Sequence, residues 1–531
     1  MRGTIKAGVA ALALALTAGL ATTLTGAAEA RESARSEASP TGYVAPPIEW
    51  GRCADESLRQ AGARCGRLVV PLDHARPDGP TISLAVSLIR HTSDTYRGVM
   101  FTNPGGPGGS GLWMARLGAY VPNGVGRSYD WIGLDPRGVG DSRPRLTCDG
   151  SYFGWDRPPY RPKTSAIMRA WLRKTAAYAK SCGSSRAQAL LPHLRTVDTV
   201  ADFEVLRQTL GVKRVGFYGG SYGTYIAQVY ATQHPSRIKR MVLDGVVNPH
   251  KAWYAANLGQ AVPFERVMTI FFRWIARHRS AYHLGATRAD VTAAYHRLKA
   301  RLTKRPAGGI IGPDEFDDAL LPAGYNVYYW PEVAGAFSKL SRFGAYAGVK
   351  RLYRSGNPSG PGADNGYAIY LATQCTDAQW PSDWSKWRTD NWRLDAKAPY
   401  LTWSNAWYNA PCRTWPAASH AAVKVSGAAF PAPVLLVSET LDAATPYSGA
   451  LAVRRLFPTS ALVAGKGGTT HAAGLSGVPC VDNAIARYLA TGALPRRTSG
   501  DHADLVCSPL PQPGRVTARQ GRLTPLPFGR W

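Results

Sequence analysis

Residues 212–224 are Val-Lys-Arg-Val-Gly-Phe-Tyr-Gly-Gly-Ser-Tyr-Gly-Thr. The β-branched and aromatic residues favour a short strand, and the glycines favour a tight turn into a helix. Ser221 lies in that turn, within a Gly-x-Ser-x-Gly pattern whose glycines leave room for the bend. The turn would raise the Ser221 hydroxyl above the sheet and aim the Tyr222 amide at a developing oxyanion. The pattern alone also fits an ordinary loop, because the chain has 55 glycines.

Strand patterns alternate with helical patterns on both sides of this turn. Strands are predicted at residues 67–72, 82–89, 98–102, 131–134, 240–243, 433–438 and 460–463, and helices at 196–210, 447–457 and 481–489. Between residues 248 and 400 strand patterns disappear, and tryptophan, tyrosine, basic and turn residues dominate. The sequence therefore predicts an α/β fold, a mostly parallel sheet with helices on both faces, with an inserted, mainly helical cap.

The first residues have the pattern of an export signal. Arg2 and Lys6 precede an apolar run, and Ala28-Glu29-Ala30 is a small-x-small cleavage site. The predicted divisions are a signal peptide (1–30), a flexible leader or pro-segment (31–44), the first part of the sheet domain (45–247), the cap (248–400), the second part of the sheet domain (401–510) and a loose tail (511–531). The apolar run is short and interrupted by threonine, so secretion is expected and a membrane anchor is not.

The eight cysteines predict disulfides, because an even number in an exported chain favours pairing. They form couples that are close in sequence, and we expect the pairs Cys53–Cys65, Cys148–Cys182, Cys375–Cys412 and Cys480–Cys507. The third pair would join the end of the cap to the returning sheet domain. No Cys-x-x-Cys or His-x-x-x-His spacing supports a metal site, and no cofactor is expected.

The formal net charge of +28 is unusual for a globular protein. A basic balance is typical of proteins that bind nucleic acid or acidic surfaces. Here lysine and arginine are spread along the chain, with no run of five or more. The charge therefore indicates solubility and a weak attraction to an anionic cell wall, and a nucleic-acid partner is not expected.

A serine nucleophile needs a base and an acid that orients the base. Asp442 follows the predicted strand at residues 433–438, and His471 follows the next predicted strand. Serine, acid and histidine thus occur in the order, and at the strand ends, that a serine hydrolase with a parallel sheet uses. Glu439 is the alternative acid and His502 the alternative base, although His502 follows no predicted strand.

The glycine-rich stretch after the strand at residues 98–102 is the second predicted part of the oxyanion site. Its sequence from Asn103 is Asn-Pro-Gly-Gly-Pro-Gly-Gly-Ser-Gly, with no Gly-Lys-Ser/Thr to indicate a phosphate-binding loop. In this type of fold the corresponding loop supplies one backbone N–H. Gly106 is therefore expected to act with Tyr222 in binding the oxyanion.

The combination of these motifs resembles the secreted tripeptidyl aminopeptidases of streptomycetes, in the proline iminopeptidase branch of α/β-hydrolases. The resemblance spans roughly residues 45 to 510. Its motifs are Gly105-Gly106-Pro107-Gly108, Asp135-x-Arg137-Gly138-x-Gly140-x-Ser142, Gly219-Gly220-Ser221-Tyr222-Gly223, Asp442-x-x-Thr445-Pro446, Thr470-His471, and Cys412 with Trp415-Pro416. It implies a serine exopeptidase that releases tripeptides from free N-termini of peptides and proteins, with Ser221, Asp442 and His471 as the triad.

Other functions stay open at this stage. An esterase or lipase would use the same triad, and a non-catalytic cell-wall binding protein would tolerate its loss. Proline iminopeptidases have His-Gly where this chain has Pro104-Gly105, which makes strict proline iminopeptidase activity less consistent with the sequence. An exopeptidase needs a carboxylate for the substrate ammonium group. Asp377, beside a predicted disulfide, is the first candidate for that role, and Asp244, at the end of a predicted strand, is the second.

Overall fold

The structure is a computed structural model that describes residues 43–155 and 157–514. The predicted signal peptide, nearly all of the predicted leader and most of the predicted tail lie outside the described residues. The strands are β1 (Gly51–Arg52), β2 (Arg64–Pro71), β3 (Thr81–Ile89), β4 (Gly98–Asn103), β5 (Tyr129–Leu134), β6 (Val215–Gly220), β7 (Ile238–Asp244), β8 (Val434–Glu439), β9 (Ser460–Gly465) and β10 (Leu505–Cys507).

These strands form one sheet in the order β1-β2-β3-β5-β4-β6-β7-β8-β9-β10. The pairs from β1 to β5 are antiparallel, and every pair from β5 to β10 is parallel. Every strand that the sequence predicted is present, whereas the short edge strands β1 and β10 were not predicted. A strand of two or three residues has too little alternation to be recognised without its partner.

Both faces of the sheet are covered. Along β8, Val434 and Leu436 belong to one buried cluster, and Leu435 and Val437 belong to another. Successive side chains of a strand point to opposite faces, so these two clusters lie on opposite sides of the sheet. Burial on both faces therefore explains the apolar run that predicted the strand. The loops that follow β4, β6, β8 and β9 begin at the carboxyl ends of these strands.

Helices connect the strands and fill the segment between β7 and β8. The helices of the sheet domain are α1 (Glu56–Gln60), α2 (Ser165–Gly183), α3 (Thr196–Thr209), α4 (Tyr222–Gln233), α16 (Ser448–Leu456) and α17 (Pro479–Thr491). Those between β7 and β8 are α5 (Tyr254–Leu258), α6 (Ala261–Arg277), α7 (Arg279–Tyr282), α8 (Arg288–Lys304), α9 (Pro313–Leu320), α10 (Pro322–Tyr325), α11 (Trp330–Phe343), α12 (Ala347–Gly356), α13 (Asn365–Asp377), α14 (Trp384–Asp395) and α15 (Thr402–Asn409). Short 3₁₀ helices occupy Leu112–Tyr120, Pro122–Ser128, Gln188–His193, Pro235–Arg237, Pro249–Lys251, Val327–Tyr329 and Ala410–Thr414.

The inserted helices form the cap. Because β7 and β8 are parallel neighbours, the chain leaves the carboxyl end of β7 and must pass over the sheet before it returns to the start of β8. Helical structure continues to Thr414, beyond the predicted boundary at residue 400, and no strand occurs between β7 and β8. Aromatic side chains such as Phe271, Trp274 and Trp330 fill the interior of the cap.

Four disulfides are formed, and they are the predicted pairs: Cys53–Cys65, Cys148–Cys182, Cys375–Cys412 and Cys480–Cys507. The expected role of the third pair needs correction. Cys375 lies in α13 and Cys412 in the 3₁₀ helix Ala410–Thr414, so both cysteines precede β8. This disulfide therefore joins two helical segments of the insertion and does not reach the returning strand. Among the described residues, no helix is both long and apolar enough to cross a bilayer.

Candidate active site

Ser221 occupies a strained turn at the carboxyl end of β6. Its φ is +52° and its ψ is −126°, a conformation that residues with side chains rarely adopt. A Cβ atom added to Gly219 would lie 2.4 Å from the carbonyl oxygen of Gly223, and one added to Gly223 would lie 2.3 Å from the carbonyl oxygen of Asn103. Both glycines are therefore required by the close approach of backbone on either side of the serine. The strain at Ser221 is typical of a functional residue.

Asp442 and His471 meet at the carboxyl ends of β8 and β9. His471 Nδ1 donates a hydrogen bond to Asp442 Oδ2 at 2.8 Å, and the two residues are 3% and 2% exposed. The second oxygen of Asp442 accepts the backbone N–H groups of Ala444 and Thr445 at 2.9 and 3.0 Å. The carboxylate is thus held in place from one side by backbone, and its other oxygen faces the imidazole.

Thr445 contacts both members of this pair. Its Oγ1 donates to Asp442 Oδ2 at 2.8 Å and lies 3.1 Å from His471 Nδ1. The sequence predicts that the Thr445 hydroxyl supports the backbone of the Asp442 loop. In the structure the hydroxyl group stabilises the carboxylate itself, and it lies where it can limit rotation of the imidazole ring.

The electrostatic environment of His471 favours a strong base. Burial by itself lowers the pKa of the imidazole, but the charge of Asp442 and its hydrogen bond outweigh burial and raise that pKa above 6.5. Because Nδ1 carries the proton that is donated to the carboxylate, Nε2 of the neutral ring is left as the acceptor. This tautomer is assigned from the hydrogen bond, and it is the one that can take a proton from a serine hydroxyl.

The alternative acid and base lie elsewhere. Glu439 Oε1 accepts the N–H of Leu510 at 2.7 Å, and Oε2 accepts the N–H of Thr470. Burial raises the pKa of Glu439 to about 8. This side chain therefore braces the loop that carries His471 and makes no hydrogen bond with the imidazole itself. His502 is exposed, and its Nδ1 lies 3.0 Å from the carbonyl oxygen of Ala503.

Ser221 and His471 line one cavity of about 190 Å³, together with Gly106 and Tyr222. The glycine-rich loop after β4 lies against the serine turn, because a Cβ on Gly105 would be 2.7 Å from the backbone nitrogen of Tyr222. Tyr222 is the first residue of α4, so its N–H is one of the unpaired donors of that helix. The structure thus brings both predicted oxyanion segments to the cavity that contains the serine.

The cap contacts the histidine directly. The backbone N–H of His471 donates to the carbonyl oxygen of Tyr325 at 2.8 Å, and the Tyr325 ring lies edge-on to the imidazole at 5.8 Å between centroids. Val327 N donates to Thr470 Oγ1 at 3.4 Å. The sequence analysis did not identify Tyr325, because no local pattern connects a tyrosine in the cap with a histidine after β9. Its position depends on how the cap folds over the sheet.

The structure does not place Asp377 in the cavity, contrary to the sequence-based expectation. Its oxygens accept hydrogen bonds from Thr196 N at 2.6 Å, Thr196 Oγ1 at 2.5 Å and Trp253 Nε1 at 3.2 Å, and burial raises its pKa to about 6. Thr196 begins α3, so Asp377 joins the end of a cap helix to the start of a helix of the sheet domain. The position of Asp377 two residues after Cys375 did not show where its carboxylate points.

Asp244 is also outside the cavity. Its Oδ2 accepts hydrogen bonds from Tyr218 OH at 3.0 Å and from Gly474 N at 2.9 Å, and burial raises its pKa to about 7. The side chain therefore anchors the loop that follows His471. The residues that line the cavity in the described part of the chain include no aspartate and no glutamate. Neither predicted carboxylate is in a position to meet a substrate ammonium group there.

The chain is similar to one family model and to several known hydrolases. Residues 98–469 match a family model described as alpha/beta hydrolase fold. The chain is 39% identical over 485 residues to a tripeptidyl aminopeptidase of Streptomyces lividans, which covers 88% of this chain and 87% of that protein. It is 29% identical over 473 residues to a serine protease of Mycobacterium tuberculosis, with 85% and 90% covered. It is 28% identical over 491 residues to carboxylesterase B of the same organism, with 89% and 93% covered.

Proposed function

This chain belongs to the α/β-hydrolase family and is a serine hydrolase of the peptidase type, and we propose that it is an exported exopeptidase that releases tripeptides from free N-termini. The observation that carries the proposal is the shared cavity, in which Ser221 and the Asp442–His471 pair lie beneath the helical cap. Similarity to a tripeptidyl aminopeptidase over most of both chains supports the choice of tripeptides.

The proposed chemistry uses these residues in fixed roles. The Ser221 hydroxyl attacks the carbonyl carbon of the third peptide bond while His471 Nε2 takes its proton. The oxyanion that forms is stabilised by the N–H groups of Tyr222 and the Gly106 segment. Collapse of the tetrahedral intermediate releases the shortened peptide, whose amine takes the proton from His471. Water then hydrolyses the acyl-enzyme by the same proton transfers and frees the tripeptide.

The cap supports cleavage near an end. Side chains from α13 and α15, namely Tyr370, Gln374, Asn405 and Tyr408, line the cavity opposite the sheet domain. A wall in this position would limit how many residues can lie on the acyl side of Ser221. Because no carboxylate lines the cavity in the described residues, we propose that this wall, and not an ion pair with the ammonium group, sets the length of the product.

Export is supported by two independent features. The sequence begins with a basic start, an apolar run and a small-x-small site. The four disulfides are of the kind that persists in an oxidising compartment. We therefore propose that the enzyme acts outside the cell on peptides and proteins.

Mapping of products tests this proposal. The purified protein is incubated with a peptide of nine residues and with the same peptide extended by one residue at its N-terminus, and the products are identified by mass spectrometry. An enzyme that counts from the N-terminus releases successive tripeptides and shifts every cut by one residue in the extended peptide. Cuts that stay at the same internal bonds would show an endopeptidase instead. Ser221→Ala is the control for contaminating activity.

Esterase activity is the second candidate, since the similarity to carboxylesterase B covers most of both chains. A peptidase and an esterase are distinguished by comparing the ester and the anilide of one tripeptide acyl group. Hydrolysis of the ester alone, with no turnover of any peptide or anilide, would favour the esterase and contradict the proposed function.

A further inference from the structure

The side-chain amides that line the cavity can be oriented from the hydrogen bonds they make. Five amide side chains line it: Asn248, Asn257, Gln260, Gln374 and Asn405. An amide offers one acceptor oxygen and a donor NH₂ group, so its direction decides what it can bind. The direction can be assigned wherever a backbone group contacts the amide, because a carbonyl group only accepts and an N–H only donates.

Backbone contacts fix the orientation of the first pair. Asn257 Nδ2 donates to the carbonyl oxygen of Trp253 at 3.0 Å, so the other atom of this amide must be its oxygen. Tyr370 OH lies 3.1 Å from that oxygen and 2.9 Å from Asn409 Oδ1, so its single proton is shared between two acceptors. Asn257 Nδ2 also donates to Gln374 Oε1 at 3.0 Å, which leaves Gln374 with its NH₂ group as the remaining polar function.

The same reasoning applies to the other amides. Gln260 Nε2 donates to the carbonyl oxygen of Ala444 at 2.8 Å, and its oxygen accepts from Asn405 Nδ2 at 3.4 Å. Asn405 Nδ2 donates to the carbonyl oxygen of Asn257 at 2.9 Å, and Asn405 Oδ1 accepts from Asn409 Nδ2 at 3.2 Å. The amide oxygens of Gln374, Gln260 and Asn405 therefore each accept a hydrogen bond within the protein, and that of Asn257 shares the Tyr370 hydroxyl with Asn409.

Asn248 completes the set. Its Oδ1 accepts the backbone N–H of His250 at 3.0 Å, so its NH₂ group is left over. Apart from the hydroxyls of Ser221 and Ser448 and the His471 Nε2 atom, three side-chain groups of the lining make no hydrogen bond among the described residues: Gln374 Nε2, Asn248 Nδ2 and the ammonium group of Lys251. All three are donors. Lys251 is the one lysine among the described lining residues, which include no arginine, aspartate or glutamate.

We propose that this cavity selects substrates that carry an acidic side chain, and that Lys251 determines the preference. The inference rests on the proposed function, since it takes a peptide as the substrate. An acidic side chain would find three donor groups here, whereas a lysine side chain would find no carboxylate in the described part of this lining. The net charge of +28 also attracts anionic peptides to the molecule.

The test uses tripeptide chromogenic substrates that contain Glu, Gln or Lys at one position, in a separate set for each of the three positions. The quantity compared is the ratio of kcat/KM for the Glu and Gln members of a set. Because Lys251 is exposed at the cavity, the expected Glu preference in the unmodified enzyme is about fivefold at one position. That ratio falls to about one in Lys251→Met, and the Lys substrate becomes preferred in Lys251→Glu.

Lys213→Met is the matched control. Lys213 is also exposed, but it lies before the amino end of β6, whereas Ser221 follows the carboxyl end, so its loss should leave the Glu-to-Gln ratio unchanged. A second measurement needs no variant: raising the salt concentration to about 0.5 M should reduce the Glu preference of the unmodified enzyme, because the ion pair is screened.

The outcomes separate this inference from the proposed function. A Glu-to-Gln ratio of one or less at every position overturns the inference, as does a ratio that Lys251→Met leaves intact, even though peptides are cleaved. If no peptide is cleaved, the proposed function fails. The charge preference is then measured with the 4-nitrophenyl esters of glutaric acid and pentanoic acid, and equal rates for these two esters overturn it as well.

Discussion

Replacing Asp442 with asparagine should abolish most of the activity through the tautomer of His471. Asp442 Oδ2 accepts from His471 Nδ1 and from Thr445 Oγ1, while Oδ1 accepts two backbone N–H groups. An asparagine oxygen can keep the backbone bonds, but its NH₂ group then faces the imidazole. His471 would be driven to carry its proton on Nε2, where it cannot accept the proton of Ser221.

The magnitude follows from the loss of the general base. Misplacing this proton should lower kcat/KM by about 10⁴-fold, which corresponds to about 5 kcal/mol of transition-state stabilisation. Glu439→Gln is the matched comparison. It removes one acceptor from a carboxyl group that accepts from Thr470 N and Leu510 N and makes no hydrogen bond with His471. It should destabilise the fold by about 1–3 kcal/mol, with a far smaller effect on catalysis.

The pH dependence of stability separates the two carboxyl groups further. Burial raises the pKa of Glu439 from 4.5 to about 8. Between these two pH values the carboxyl group therefore keeps its proton in the folded state and has lost it in the unfolded chain. The unfolded state binds fewer protons there, and the contribution of Glu439 to stability is lost as pH rises through that window. The melting temperature of the wild type should therefore fall, relative to that of Glu439→Gln, as the pH rises from 4.5 to about 8.

Steady-state kinetics with a tripeptide anilide and thermal unfolding, measured on the same preparations, check these expectations. The reasoning is refuted if folded Glu439→Gln loses as much activity as Asp442→Asn. It is also refuted if Asp442→Asn keeps activity close to that of the wild type, since the tautomer would then not depend on this carboxylate.

Three further changes test the site. Ser221→Ala should abolish covalent labelling by a serine-directed phosphonate while thermal unfolding is unchanged, and labelling that persists would exclude Ser221 as the nucleophile. His471→Ala should lower kcat/KM by about 10⁴-fold or more, whereas His502→Ala should not. The base must be neutral, so wild-type activity should decline in acid with a midpoint above 6.5, and a midpoint well below that value contradicts the effect of Asp442 on the imidazole. Thr445→Val should lower kcat/KM by about tenfold or more through loss of one hydrogen bond to a charged group, and Thr445→Ser should restore most of it; equal loss in both variants would point to packing instead.

Local chemistry determined the features that the sequence predicted well. The serine turn is specified by glycines within two residues of Ser221, because the steric conflict that they avoid is between neighbouring segments of backbone. The buried parallel strands are evident as apolar runs, and the order of serine, acid and histidine follows from loops at the ends of successive strands. The disulfide pairs could be predicted for a related reason, since each cysteine has its partner close by in the chain.

Contacts made by the cap were decided only by the tertiary structure. Asp377 was chosen from its place beside Cys375, yet its carboxylate bonds Thr196 at the start of a distant helix. The carbonyl oxygen of Tyr325 accepts the N–H of His471, and no sequence pattern marks a backbone acceptor of this kind. Such contacts join segments that lie far apart in the chain, and they depend on the angle at which helices pack over the sheet.

The charge of the cavity was also decided only by the tertiary structure. Composition gives the net charge of the whole chain, but it does not say which few polar groups face Ser221. Only the folded chain shows that the cavity has no carboxylate in its described lining and that Lys251 and two NH₂ groups are left as donors there. Sequence determined the catalytic order because strand ends are adjacent in a parallel sheet. Specificity required the tertiary structure, because a hydrogen bond depends on the position and direction of both partners.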